Sequence, residues 1–169
     1  MLRSNRICIQ FIIAMLVGLG FSAHALDKPT GKVILTIAGK VGATNSPQGA
    51  QFDLAMLEKL PSRTFTTMTP WEKQPIKFTG PLLRDVLAAA KASGTTLKAV
   101  ALNDYQTAIP YEDSTKFDVI MAIKMNDEYM PVKTKGPLFI VYPYDTKPEL
   151  RSPSIYERSA WQLKSLAVE

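Results

Sequence analysis

The sequence predicts an α+β fold: a single, mixed, β-sheet-rich domain with a few short helices. Three observations carry that prediction. Short β-branched or alternating apolar runs recur from Val33-Ile34-Leu35-Thr36-Ile37 to Leu138–Tyr142, separated by Gly, Pro, Asn and Asp. Apolar residues at helical spacing occupy only two brief stretches. With 169 residues, 46% of them hydrophobic, the chain is long enough to bury one sizeable core.

Residues 1–25 read as a cleaved secretory signal and residues 26–169 as the single domain. Arg3 and Arg6 form a basic start, Ile7 to Gly20 is a nearly continuous apolar run, and Ala23-His24-Ala25 is a small-x-small cleavage site. The run falls short of the roughly 18 to 20 apolar residues a spanning helix needs, so cleavage is expected rather than membrane insertion.

Justified in order, the domain starts with a polar stretch, Asp27 to Gly31, and a first strand, Val33 to Ile37, ended by Gly39 and Gly42. Phe52 to Leu60 has helical spacing, with Asp53 as N-cap and Pro61 as the stop. Arg63 to Thr67 alternates as a strand does. The clearest helix is predicted from Pro81 to about Ala92. Pro81 suits its first turn, Leu82, Leu83, Val86, Leu87 and Ala90 form one stripe, and Gly94 closes it. Strands are then expected at Leu97–Leu102, Gln106–Ile109, Val119–Ile123 and Leu138–Tyr142. Asn126-Asp127 supplies a turn between Lys124 and Met130. Trp161 to Val168 reads as a short helix, a final strand, or one followed by the other.

Composition narrows the chemistry. The one cysteine and the one histidine, Cys8 and His24, both fall in the expected leader. The mature chain then offers no thiolate nucleophile, no Ser-His-Asp or Cys-His arrangement, no Cys/His zinc site and no disulfide. An exported protein without disulfides points to a bacterial periplasm. The net charge of +5 includes Arg3 and Arg6, and no basic run exceeds the Lys133-x-Lys135 pair, so no nucleic-acid footprint is present. Phosphate loops, dinucleotide fingerprints and metal-ligand spacings are absent as well.

Four clusters place polar or aromatic groups beside Gly and Pro. In Thr66-Thr67-Met68-Thr69-Pro70-Trp71-Glu72, Trp71 reads either as a stacking plate for a flat ligand or as a lid packed on the sheet. Asn103-Asp104-Tyr105 reads as a simple turn, or as a turn that aims Asp104 into a pocket. There its carboxylate would accept two parallel hydrogen bonds, as from the amino-pyrimidinone edge of a pterin or guanine. Gly136-Pro137 leads into a strand ending at Tyr142-Pro143-Tyr144-Asp145, where Tyr144 is an alternative stacking ring. In Tyr156-Glu157-Arg158-Ser159-Ala160-Trp161-Gln162, Arg158 and Ser159 could hold an anionic or hydroxylated tail, and Trp161 is a second ring wall or core. Glu112-Asp113 reads as a solvated pair, because adjacent loop residues do not face each other.

In order, Phe78-Thr79-Gly80-Pro81-Leu82-Leu83-Arg84-Asp85-Val86-Leu87, Asn103-Asp104-Tyr105 and Gly136-Pro137-Leu138 resemble the molybdopterin-binding domain of the sulfite oxidase family. The resemblance runs from about Val33 to Val168. Enzymes of that family hold molybdenum through a cysteine thiolate, which the mature chain lacks, and their Asp-Gly-Tyr turn is Asn-Asp-Tyr here. The segments Thr69-Pro70-Trp71, Tyr142-Pro143-Tyr144-Asp145 and Arg158-Ser159-Ala160-Trp161-Gln162-Leu163 are more similar to the PruR-type periplasmic pterin-binding regulators, which share the fold without molybdenum. That resemblance implies a non-catalytic protein binding a reduced pterin of tetrahydropterin type. Its partner would be the periplasmic domain of a membrane diguanylate cyclase or phosphodiesterase, which makes or degrades cyclic di-GMP. It implies ligand-binding roles for Thr69, Trp71, Asn103, Asp104, Tyr105, Tyr144, Arg158, Ser159 and Trp161. The alternatives are a molybdopterin-dependent oxidoreductase or accessory subunit with a non-cysteine metal site, and a pure interaction domain with an occluded pocket.

Overall fold

The computed structural model describes residues 26–169; the expected leader, with Cys8 and His24, lies outside the described residues. The architecture is mixed α+β, rich in sheet with a few short helices. A five-stranded sheet is built from β1 (Val33–Gly39), β2 (Ala50–Asp53), β5 (Thr96–Ala101), β6 (Gln106–Pro110) and β11 (Leu163–Val168). Its spatial order is β2-β1-β11-β5-β6. The last strand is thus inserted beside the first, parallel to it, with Thr36 opposite Ser165 and Gly39 opposite Val168; the other pairs are antiparallel. Trp161 to Val168 therefore resolves as a final strand, preceded by Gln162 in a left-handed conformation.

A second sheet, in the order β3-β4-β8-β9, contains β3 (Ser62–Thr67), β4 (Ile76–Pro81), β8 (Lys124–Met125) and β9 (Glu128–Tyr129). Asn126 and Asp127 both have positive φ and turn β8 into β9, as their residue types predict. A third ladder pairs β7 (Ile120–Ala122) with β10 (Phe139–Val141), all six residues of which are buried. Strand β4 crosses β7 at Gly80, where a Cβ would sit 2.1 Å from the Met121 carbonyl oxygen. Glycine is required there by contact, not by φ.

Four expectations are corrected. The Phe52–Leu60 helix is shorter, because Phe52 pairs with Leu35 in the first sheet; α1 (Leu54–Glu58) begins only after Asp53. Asp53 does cap it, its Oδ1 accepting from the Met56 N–H at 2.9 Å. Strand β4 was not expected. Pro81 ends that strand opposite Ser62 instead of opening the helix, so α2 (Leu83–Ala89) starts later. Its buried face is Leu83, Val86 and Leu87, as the spacing predicts. The helix is closed not by Gly94 but by Lys91, at φ 48°. The Ala92 N–H bonds the Leu87 carbonyl and the Lys91 N–H bonds that of Ala88, a Schellman arrangement. Gly94 instead permits close approach to the C-terminal backbone at Glu169. Finally, Asp113 is not solvated. It opens α3 (Asp113–Lys116) and is 3% exposed.

Candidate functional site: an aromatic cavity

The site grows out of the point where the last strand begins. Helix α4 (Pro153–Arg158) ends at Ser159. The following backbone is strapped to β10 by the Ile140 N–H on the Ala160 carbonyl (3.0 Å) and the Leu163 N–H on the Leu138 carbonyl (3.0 Å). Trp161 forms a bridge with Phe139, which fixes its backbone against a fully buried strand. Across from it, the β3–β4 connection delivers Trp71. The Thr69 hydroxyl turns that loop by accepting from the Glu72 N–H at 3.2 Å.

Trp71 is the hub of an aromatic cluster. Its ring lies 5.2 Å from Trp161 at 84°, 5.8 Å from Phe139, 6.0 Å from Tyr156 and 6.4 Å from Tyr144, every pair edge to face. Such pairs are worth about 0.5–1.5 kcal/mol beyond their burial, so the rings hold one another in place. Two near-perpendicular indoles make a corner. A planar ligand stacked on one meets the edge of the other.

This corner opens into a cavity of about 280 Å³. Trp71, Trp161, Tyr156 and Tyr105 supply its aromatic lining, Ala160 and Ser159 its small residues, and Asn103 and Glu157 its remaining polar groups. The β5–β6 turn contributes from the rim. There the Asn103 side chain accepts from the Tyr105 N–H at 3.1 Å, and the Tyr105 hydroxyl donates to the Glu157 carbonyl at 2.8 Å, latching the turn to α4. Pockets that enclose drug-sized ligands run to about 300–1,000 Å³, so this volume suits one compact bicyclic ring with its substituent left outside.

The structure therefore brings together Trp71, Asn103, Tyr105, Ser159 and Trp161 from the residues singled out in the sequence. The other four stand elsewhere, for physical reasons. Asp104 sits at the apex of its turn, at φ 64°, and its carboxylate pairs with Lys164 on the neighbouring strand at 2.8 Å. That hydrogen bond holds the Asp104 carboxyl below the usual range. Tyr144 is 1% exposed, beneath Tyr156 (5.5 Å) and Trp71, so it is no plate for a ligand. Its hydroxyl donates to the Ser159 Oγ at 2.7 Å, and burial pushes its ionisation far upward, so it remains a donor. Arg158 turns inward, with Nη1 on Asp113 Oδ2 at 2.9 Å; the same oxygen accepts from the Tyr142 hydroxyl at 2.7 Å. Thr69 is buried and serves its own loop.

Tyr156, Glu157 and Ala160 also line the cavity, although the sequence reading gave them no role. The spacing was available: on α4, residues just before the Ser159 turn share one end of the helix. The identity of their neighbours across the cavity was not. Among the described residues no group of three or more His, Cys, Asp or Glu side chains could hold a metal ion. The donor set fits the flat, apolar-faced ring of a pterin, with a few hydrogen-bonding groups at its edge.

Comparison with known proteins agrees with this fold. Residues 35–145 match the model of the oxidoreductase molybdopterin-binding domain family. No curated protein matches the chain. Among solved structures, the fold is similar to that in the crystal structure of the sulfane dehydrogenase SoxCD from Paracoccus pantotrophus. The TM-score is 0.60 at 17% identity, covering 79% of this chain but 37% of that one. The chain belongs to the oxidoreductase molybdopterin-binding domain family.

Proposed function

We propose that this member of the molybdopterin-binding domain family is a non-catalytic, periplasmic pterin-binding protein. Its occupancy would be read by the periplasmic domain of a membrane enzyme that makes or degrades cyclic di-GMP. The observation that carries the reading is the cavity itself: two perpendicular tryptophans and two tyrosines around a volume of about 280 Å³, in a family defined by a pterin ligand. The ring would stack on Trp71 or Trp161. Glu157 is the one acidic residue that lines the cavity, and its carboxylate would accept the paired donors of the amino-pyrimidinone edge, the role the sequence had offered to Asp104. Asn103 supplies a further polar contact, while the Ser159 hydroxyl, bonded to Tyr144 and to the Ile155 carbonyl, holds the wall in place. The signalling partner and the periplasmic address rest on the resemblance to PruR-type regulators and on the expected leader. A ligand shifts the state such a partner reads only by its difference in affinity between two conformations.

The test is calorimetry with tetrahydropterin and oxidised pterin on the purified protein. Saturable binding, abolished in Trp71→Ala and weakened about tenfold or more in Glu157→Gln, supports the reading. No heat with either pterin at any concentration ends it.

The family match favours a second reading, an oxidoreductase or an accessory subunit of one. Elemental analysis separates the two, since stoichiometric molybdenum in the native protein establishes the second.

A further inference from the structure

Away from the aromatic cavity, a second concavity of about 420 Å³ lies between β3 and the loop after α3. Arg63, Lys116 and Lys147 line it, from three separate segments of the chain, around the ring of Phe117. The Lys116 ammonium lies 5.1 Å and the Lys147 ammonium 5.3 Å from the centre of that one ring. The ring is itself fixed, 8% exposed and packed at 6.3 Å against buried Tyr142. Both ammonium groups therefore stand within roughly one Debye length of each other (about 10 Å at 0.1 M salt) and repel.

Among the described residues no carboxylate forms an ion pair with Arg63, Lys116 or Lys147. Asp118, the one acidic residue on the concavity, has its carboxylate on Arg84 Nη1 at 2.9 Å. Strand β3 also pairs with β4 alone, so the concavity runs along a free sheet edge. Lysines that merely guard an edge extend into water. Here two of them are gathered onto one aromatic ring, where the cation–π attraction partly offsets their repulsion.

We infer that this concavity is a binding site for a compact phosphate-type polyanion, clamped by Arg63, Lys116 and Lys147 over Phe117. Arg63 offers a planar fork for paired phosphate oxygens, and the two lysines supply point charges. The same chemistry is presented by a soluble phosphate ester and by the headgroup of an anionic lipid.

Inorganic pyrophosphate is the probe, followed by the amide resonances of the purified protein at low salt. Saturable shifts are expected at Arg63, Lys116, Phe117 and Lys147, weakening as salt is raised. Affinity should fall about tenfold or more in Lys116→Gln/Lys147→Gln, and likewise in Arg63→Gln, with thermal melting unchanged. Co-sedimentation with phosphatidylglycerol vesicles, set against phosphatidylcholine vesicles, then identifies the source. Vesicle binding lost in the double variant assigns a lipid headgroup, and pyrophosphate binding alone assigns a soluble ester. If millimolar pyrophosphate moves none of these resonances, or the variants bind it as tightly as the parent, the inference is overturned.

Discussion

Ser159 joins the wall of the cavity to the layer beneath it. The residue lines the cavity, and its Oγ accepts from the Tyr144 hydroxyl at 2.7 Å and donates to the Ile155 carbonyl at 2.8 Å. Replacing it with alanine strands a buried phenol. Ser159→Ala should therefore cost about 1–3 kcal/mol, read as a lower midpoint in urea unfolding. Tyr144→Phe removes the donor as well as the need for an acceptor, and should cost about 1 kcal/mol or less. A Ser159→Ala protein as stable as its parent would show that the Tyr144 hydroxyl finds another partner. Beside this pair, Arg158 and Tyr142 share one oxygen of Asp113, a group 3% exposed. Asp113→Ala removes the acceptor of the buried Tyr142 hydroxyl and the counterion of the partly exposed Arg158, and should destabilise by about 1–3 kcal/mol.

Elements meet most tightly where β4 crosses β7. A methyl group at Gly80 would stand 2.1 Å from the Met121 carbonyl and 2.8 Å from the Ala122 Cα, both backbone atoms that cannot rotate away. Gly80→Ala is expected to cost about 1–3 kcal/mol by forcing the two strands apart, measurable as a lower melting temperature. Gly31→Ala makes a useful control, since its nearest atom is Asp53 Oδ2 at 3.4 Å, an ordinary van der Waals contact. Strand β4 also shows how one local signal can mask another. Local pattern predicted β3, β5, β6 and the buried face of α2, whose periodicities are clear. In Ile76–Pro81 the same local rules favoured a helix starting at Pro81, because proline is welcome in a first turn. Yet Ile76-Lys77-Phe78-Thr79 alternates apolar and polar, its burial alternates with it, and β4 pairs with both β3 and β8, so the strand signal was present and was outweighed by the proline. In the cavity, Trp71, Asn103, Tyr105 and Trp161 stood out as aromatic or turn residues in loops. The direction of a side chain such as Asp104, decided by Lys164 across the strand, did not.

At the scale of the whole molecule, the closing strand β11 beside β1 ties the C-terminal segment to the first strand, and carboxylates at loop junctions reinforce the connections. Asp53 accepts from the N–H groups of Gly31, Met56 and Thr30, which hold its carboxyl below the usual range. Asp145 is lowered chiefly by the Met68 N–H at 2.7 Å, and its other oxygen pairs with Arg151. An acid whose folded pKa lies below its unfolded value of about 3.9 contributes stability that is present above that value and lost as pH falls through the folded one. Stability should therefore hold level from neutrality to about pH 5 and then drop as pH falls further. Asp53→Asn and Asp145→Asn should flatten that decline in thermal melts across the same range. An unchanged slope in both variants would place the acid sensitivity elsewhere.

The central claim is that the aromatic corner binds a pterin, and the protein's own fluorescence reports on it. Trp71 and Trp161 are the two tryptophans of the chain, and both line the cavity. Titration with tetrahydropterin should quench their emission saturably, with the same dissociation constant as calorimetry, and Trp71→Ala should lose both signals. Emission that stays constant through a full titration, with no accompanying heat, would contradict the account.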